Sequence, residues 1–161
     1  MEIRPTQTTD LPFVSAAESH HDNAPYITQC SQRWHEQAIS SEDYAHFIVE
    51  RHQQAIGYII FAGVQNPHLS LEIRRIVIVE KRQGYGREAL RWIKSFAFEQ
   101  LGHHRLWLDV LESNHRARAL YKSEGFIAEG VVRDGYKTVS GYESMILMSM
   151  LESEYLAHTM Q

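Results

Sequence analysis

A run of β-branched residues that ends at a glycine pair and restarts as a helix constrains this chain more than any other feature. Ile73, Ile76, Val77, Ile78 and Val79 crowd residues 71–79, a composition that suits a central strand. Lys81-Arg82-Gln83-Gly84-Tyr85-Gly86-Arg87 follows. Then Ala89, Leu90, Ile93, Phe96, Ala97 and Leu101 recur at helical spacing, with Gly102 where a C-cap belongs. A strand running through paired glycines into a helix outlines an anion site. The glycines let successive N–H groups face one point, and the helix N-terminus adds partial positive charge. One helix end contributes only about 0.3–1 kcal/mol, so several N–H groups must converge. Lys81, Arg82 and Arg87 supply formal charge as well. A plain tight turn would also use two glycines; the basic flank and the strand-to-helix context favour phosphate.

The rest of the chain reads as alternating elements. Ile3-Arg4-Pro5 suits a short first strand, and Thr8, Thr9 and Asp10 offer capping chemistry before a helix over residues 11–17. A second helix is predicted over residues 31–39, then strands over 44–50 and 55–64, the latter broken at Asn66-Pro67. Downstream of the glycine loop come a strand over 106–111, a helix over 114–123 stopped at Gly125, and strands over 126–132 and 142–150. Turns are expected at Asp134-Gly135 and Ser140-Gly141. The order is βααβββαβαββ, an α/β (α+β) fold with a mixed, mostly antiparallel central sheet of about six or seven strands and about four helices. At 161 residues the chain fits one domain, residues 1–161, with 151–161 as an extension that forms either a helix at a dimer contact or a frayed tail.

Gly84, Gly86 and Ala89 also satisfy G-x-G-x-x-A, the dinucleotide fingerprint, and Asp109 ends a strand some twenty residues on. A dinucleotide fold opens on that fingerprint and continues through several βα units. Here three strands precede the one that leads into the loop, and only one helix and three strands remain around and after Asp109. The topology argues for a different phosphate-bearing ligand.

Composition narrows the class further. A net charge of −4 disfavours a nucleic-acid partner, which needs a clustered basic surface. No stretch approaches eighteen apolar residues and Met1-Glu2-Ile3-Arg4-Pro5 lacks a signal core, so no membrane partner is expected. The lone Cys30 has no intramolecular partner, and a reducing, cytoplasmic setting follows as the expectation. Ten histidines are scattered without zinc-ligand spacing, so no metal is expected and surface or core roles are preferred.

Three segments together resemble the GNAT superfamily of acetyl-CoA-dependent N-acetyltransferases. The first is Lys81-Arg82-Gln83-Gly84-Tyr85-Gly86, which departs from the family's loop only in its first, still basic, position. The second is Leu106-Trp107-Leu108-Asp109-Val110 followed by Glu112-Ser113-Asn114. The third is Ala117-Arg118-Ala119-Leu120-Tyr121-Lys122-Ser123-Glu124-Gly125-Phe126, similar to the family's A-x-x-L-Y-x-x-x-G-F helix. The resemblance covers residues 71–126. It implies acetyl-CoA as acetyl donor, with the strand backbone at Ile76, Val77 and Ile78 bonding the pantetheine arm. It implies that Arg82, Gln83, Gly84, Tyr85, Gly86 and Arg87 hold the pyrophosphate, mainly by backbone N–H groups. Asn114 would contact pantetheine or fix the following helix, and Tyr121 would aim its hydroxyl at the thioester sulfur.

The implied reaction moves an acetyl group to a primary amine by direct attack in a ternary complex. A backbone N–H near Val77 or Ile78 would polarise the carbonyl. Tyr121, with a reference pKa of about 10 against about 8.5 for a thiol, would stabilise the leaving thiolate; its plain alternative is a core tyrosine packed on Phe126. A lysine-like amine costs roughly 4.6 kcal/mol to deprotonate at pH 7, and an α-amine only about 1.4 kcal/mol. Glu72 and Asp109 are the candidate bases, and either could instead pair with Arg74, Arg75 or Arg105; a water relay would serve the shorter Asp109. The acceptor side would draw on residues 23–35, Glu72 and 133–142, which hold Tyr26, Trp34, Tyr136 and Tyr142, with Glu36 beside them. A small amine or polyamine is the expected acceptor. A protein N-terminus or lysine is the alternative, and a non-catalytic acyl-CoA-binding protein a third reading. A homodimer is compatible with all three.

Overall fold

In the computed structural model, which describes residues 1–159, the chain runs β1 (Glu2–Pro5), α1 (Leu11–Ser19), α2 (Gln32–Ser40), β2 (Tyr44–Arg51), β3 (Gln54–Ala62) and β4 (Ser70–Ile78). It continues through α3 (Tyr85–Ser95), β5 (Arg105–Leu111), α4 (His115–Ser123), β6 (Ile127–Thr138), β7 (Gly141–Leu151) and α5 (Glu152–Thr159). The predicted order holds through β7. Local chemistry explains the boundaries. Ser31 Oγ accepts the Trp34 amide at 3.1 Å and starts α2. Gly102 and Gly125 adopt φ of 66° and 94°, the left-handed conformation that ends a helix and that glycine reaches without strain. A wide π turn, Phe96–Gln100, carries α3 on to Gly102.

Two expectations need correction. Residues 151–159 are not a frayed tail: they include α5, because Tyr155 is buried, stacks on Phe98 at 5.0 Å and donates its hydroxyl to Glu99 at 2.5 Å. That makes five α-helices, not about four, among the described residues; 160–161 of the expected extension lie outside them. Asp134-Gly135 is not a turn between strands but an irregularity inside β6, where the register to β7 shifts between Val132 and Tyr136. Asp134 takes φ 50° there, and a Cβ on Gly135 would meet Val132 and Met145 side chains, so this pair bends the strand instead of ending it.

The seven strands form one sheet in the order β1-β2-β3-β4-β5-β7-β6. Every neighbouring pair is antiparallel except β4–β5, which excludes a doubly wound dinucleotide sheet. The parallel pair is short. Its register runs only from Ser70↔Arg105 to Glu72↔Trp107, after which the two strands part. One apolar core, including Phe61, Leu71, Ile73, Leu90, Ile93, Leu106 and Leu108, lies between the sheet and α3. A second, with Leu11, Val14, Ile48, Tyr58, Ile60 and Val77, lies under α1 on the opposite face. The divergence of β4 from β5 therefore opens a cleft in the middle of an otherwise continuous sheet.

Candidate active site

β4 lines one side of the cleft, and its sequence bends it there. Ile60 pairs with Arg75 and Phe61 with Ile73, so Arg74 is an extra residue on β4. Beyond Glu72, residues 73–78 have no strand partner on the β5 side. Ile76, Val77 and Ile78 are in this stretch, so the backbone groups here that turn away from β3 are available to an extended ligand as the next strand would be. On the other flank β3 approaches closely: a Cβ on Gly57 would lie 2.3 Å from the Val77 carbonyl oxygen. Only glycine permits that approach, which holds β4 in place.

At the end of β4 the chain turns through Arg82 (φ 64°) and Gly84 (φ 82°) into α3. The Gly84 carbonyl accepts both the Arg87 and the Glu88 amides at 3.1 Å, closing the first helical turn. The amides of Gly84, Tyr85 and Gly86 have no acceptor among the described residues, as an anion cradle requires. Gly86 has ordinary space, with Leu120 3.5 Å from a built Cβ, so packing against α4 does not itself demand glycine there. The side chains here are less free than their charges suggest. Arg87 donates to Glu124 at 2.5 Å, and Lys81 donates to the Asn23 side-chain oxygen at 2.5 Å. Arg82 makes no side-chain hydrogen bond among the described residues. Gln83 belongs to the same turn.

α4 starts on Asn114, whose side-chain oxygen accepts the Ala117 amide at 3.2 Å. That cap is the contact a helix-fixing role requires. Tyr121, further along the same helix, is 8% exposed with its ring 5.9 Å from Phe126. Its hydroxyl has no hydrogen-bond partner among the described residues. Burial, with a smaller push from the Asp109 charge, raises its pKa well above the ordinary tyrosine value, so it stays protonated.

The two candidate bases sit on facing strands. Leu71 and Ile73 point into the α3-side core, so Glu72 between them points to the opposite face. Its carboxylate lies 3.6 Å from Arg74. Desolvation raises the Glu72 pKa, Arg74 opposes that rise and Asp109 adds to it. Asp109 keeps solvent contact, yet the protein around its carboxylate still raises its pKa, again opposed by Arg74. Glu72, Arg74 and Asp109 thus form one electrostatic cluster across the mouth of the cleft, with Tyr121 sensing Asp109 from behind. Arg105 is not part of it; it pairs with Glu129 on β6.

Residues with no legible sequence signal complete the surroundings. Glu18, on α1, is 1% exposed. Its Oε1 accepts from Tyr58 at 2.9 Å, His35 at 3.0 Å and Arg75 at 3.1 Å, and its Oε2 from the Cys30 amide at 2.8 Å. His35 Nδ1 meets His46 Nε2 at 3.1 Å, and His46 Nδ1 meets Thr6 Oγ1 at 2.8 Å. These partners are far apart in sequence; only the oddity of a glutamate in Leu11-Pro12-Phe13-Val14-Ser15-Ala16-Ala17-Glu18 hinted at a buried charge. Of the expected acceptor aromatics, Trp34 belongs to the α1-side core, edge-on to Tyr44 at 5.9 Å. Tyr26 and Tyr142 are exposed, and Glu36 accepts from Gln32 on the surface of α2. The Thr28 hydroxyl donates to the Tyr136 phenol oxygen at 3.1 Å and ties the loop before α2 to β6.

Comparison with known proteins decides what this geometry serves. The model of the acetyltransferase (GNAT) family matches residues 8–126, most of the chain. The chain belongs to the GNAT family. The ribosomal protein bS18 alanine N-acetyltransferase of Escherichia coli K12 is 30% identical over 161 residues, covering 92% of this chain and 95% of that protein. The spermidine N(1)-acetyltransferase of Vibrio cholerae O1 is 29% identical over 112 residues, spanning 68% of this chain and 65% of that protein. Among solved structures, a Vibrio cholerae spermidine N-acetyltransferase in complex with CoA and spermine superposes with a TM-score of 0.87 at 23% identity, covering 96% of this chain and 97% of the other. The Escherichia coli ribosomal-protein-S18-alanine N-acetyltransferase gives 0.78 at 27%, covering 93% and 92%. The protein is an acetyl-CoA-dependent N-acetyltransferase acting on amines, with acetyl-CoA as co-substrate. No helix among the described residues is long and apolar enough to cross a membrane.

Proposed function

We propose that this GNAT enzyme, acting as one domain, acetylates a small primary amine by direct attack within a ternary complex. The parting of β4 from β5 immediately after Glu72↔Trp107 carries the reading, because it sets donor groups and bases on either side of one gap. Ile76, Val77 and Ile78 hold the pantetheine arm along the unpaired edge of β4. The free amides of Gly84, Tyr85 and Gly86, flanked by Arg82, Gln83 and Arg87, hold the pyrophosphate. Asn114 acts by anchoring α4 and so placing Tyr121. When bound, acetyl-CoA supplies a thioester carbonyl as electrophile. A β4 amide near Val77 polarises that carbonyl. Glu72 or Asp109, each with a raised pKa suited to accepting a proton, takes the ammonium proton directly or through water. Tyr121 presents its hydroxyl proton to the departing sulfur.

The Thr28–Tyr136 contact supports a small acceptor, since it closes the acceptor end between the α1–α2 loop and the hairpin. A peptide N-terminus is the second reading, favoured by the 30% identity to the bS18 alanine N-acetyltransferase. Thiol release measured with amino acids, polyamines, aminoglycosides and N-terminal peptides separates the two. Turnover of peptides with none of small amines overturns the first. The net charge of −4 supports an enzyme without a nucleic-acid partner, the lone Cys30 supports a reducing, cytoplasmic setting, and the lack of an eighteen-residue apolar stretch supports the absence of a membrane partner. Exposed Ile127, Val131 and Val132 on edge strand β6 support a homodimer contact.

A further inference from the structure

The bulge in β4 does more than bend the strand. Along a regular strand side chains alternate between faces, and the extra residue suspends that alternation. Ile73 points into the α3-side core, whereas Arg75 reaches Glu18 on α1 and Val77 joins the α1-side core. Arg74 and Arg75 therefore stand consecutively on the same face, at the point where the cleft opens.

Arg75 is held there by an ordered chain of donors. Glu18 is kept ionised by the hydrogen bonds it accepts, so His35 Nε2 donates to it. With neutral imidazoles, His35 Nδ1 then accepts from His46 Nε2, and His46 Nδ1 accepts from the Thr6 hydroxyl. Every polar atom in the chain has one role, and both Glu18 oxygens are occupied. A guanidinium carries five N–H donors. Arg75 gives one to Glu18 at 3.1 Å and has a long contact to Cys30 Sγ at 4.0 Å, with the side chain 11% exposed. The Tyr58 hydroxyl lies against the same guanidinium, and the donors beyond these contacts have no acceptor among the described residues.

We propose that Arg75, assisted by the more exposed Arg74, forms an anion-recognition site in the acceptor cleft, so that the preferred acceptor is a small amine that also carries a carboxylate, as an amino acid does. The charges decide against a polycation. Glu18 is fully engaged, and Glu72 and Asp109 already share Arg74 and serve the reacting amine. Beside Arg74 and Arg75 a second ammonium would meet like charge, whereas a carboxylate would gain charge-assisted, fork-shaped hydrogen bonds.

This rests on the small-amine reading, and its test keeps the two apart. Free amino acids, their carboxamides and spermidine are compared as acceptors at matched concentrations of unprotonated amine. Wild-type kcat/KM is expected to favour the acids over the amides by about tenfold or more, in line with one charge-assisted pair. Arg75→Gln should bring the acid-to-amide ratio of kcat/KM close to one, and Arg75→Lys, which keeps the charge but not the fork, should lower it less. Arg74→Gln, on an exposed side chain outside the buried network, covers the case in which Arg75 variants fold poorly and should weaken the same preference. Binding of an N-acetylated amino acid against its amide, read by thermal shift with CoA present, gives a check independent of turnover. Small amines that turn over with no preference for acids, or best turnover with spermidine, overturn the proposal alone. Turnover confined to peptides overturns the small-amine reading and the proposal with it.

Discussion

Tyr121, Glu72 and Asp109 could be picked out from residue type and spacing, but their environments could not. Tyr121 is buried with an unpartnered hydroxyl and a raised pKa, so Tyr121→Phe removes a proton donor and little packing. We expect kcat to fall roughly 10²-fold, the usual contribution of one positioned acid or base, with the KM for acetyl-CoA little changed; an unchanged kcat would remove Tyr121 from the reaction. Which carboxylate is the base is a question of pH profile. Both have raised pKa values, so the acidic limb of kcat/KM should lie above the ordinary carboxylate range. Glu72→Gln or Asp109→Asn should abolish that limb for the true base and only shift it for the other. Arg74 lowers both carboxylates, so Arg74→Gln should move the limb to higher pH. A limb that moves to lower pH would contradict this electrostatic account. Arg74 was visible in the sequence only as a pairing option, because the bulge that places it cannot be read from a run of β-branched residues.

Among elements, the strand-loop-helix of β4 and α3 and the stop glycines of α3 and α4 were legible, because glycine and β-branched residues act locally. What joins the elements was not. Glu124, at the C-terminal end of α4, is 7% exposed and receives Lys94 at 2.9 Å and Arg87 at 2.5 Å. Lys94 also caps α4 by donating to the Glu124 carbonyl at 3.0 Å. This lock fixes the helix bearing Tyr121 to the helix that follows the phosphate loop. Removing one partner from a buried ion pair leaves the other uncompensated, so Glu124→Leu should cost about 3–5 kcal/mol in urea unfolding. A loss within the range of a surface substitution would show that the lock carries little. Gly57→Ala tests the β3–β4 approach in the same assay. Its methyl group would press on a backbone oxygen, and a loss of about 1–3 kcal/mol is expected from overpacking. Nothing in the local sequence Gln54-Ala55-Ile56-Gly57-Tyr58 announced this contact, since its partner is on another strand.

Across the whole molecule, Thr6, Glu18, His35, His46 and Tyr58 tie β1's exit, α1, α2, β2 and β3 into one buried polar network, and its separations in sequence are why scattered histidines looked featureless. The network makes fold stability depend on pH, with a sign that follows from its pKa shifts. His46 is 6% exposed, and burial together with the nearby His35 lowers its pKa from 6.5 to about 4. Between those values the unfolded chain takes up a proton that the folded chain does not, so acidification favours unfolding. The corresponding stability is complete above pH 6.5 and is lost as pH falls towards 4, roughly 3 kcal/mol in all at 1.36 kcal/mol per unit. Glu18 acts in the same direction lower down. Its folded pKa is depressed, so its contribution exists above the unfolded value of 4.5 and disappears as pH drops through the folded one. Urea unfolding at pH 7 and pH 5 should therefore give a lower midpoint at pH 5. His46→Gln should be less stable at pH 7 yet show a shallower dependence, because the titrating group is gone while a polar partner for Thr6 and His35 remains. An equally steep dependence in the variant would assign the acid sensitivity to other groups and leave His46 as packing alone.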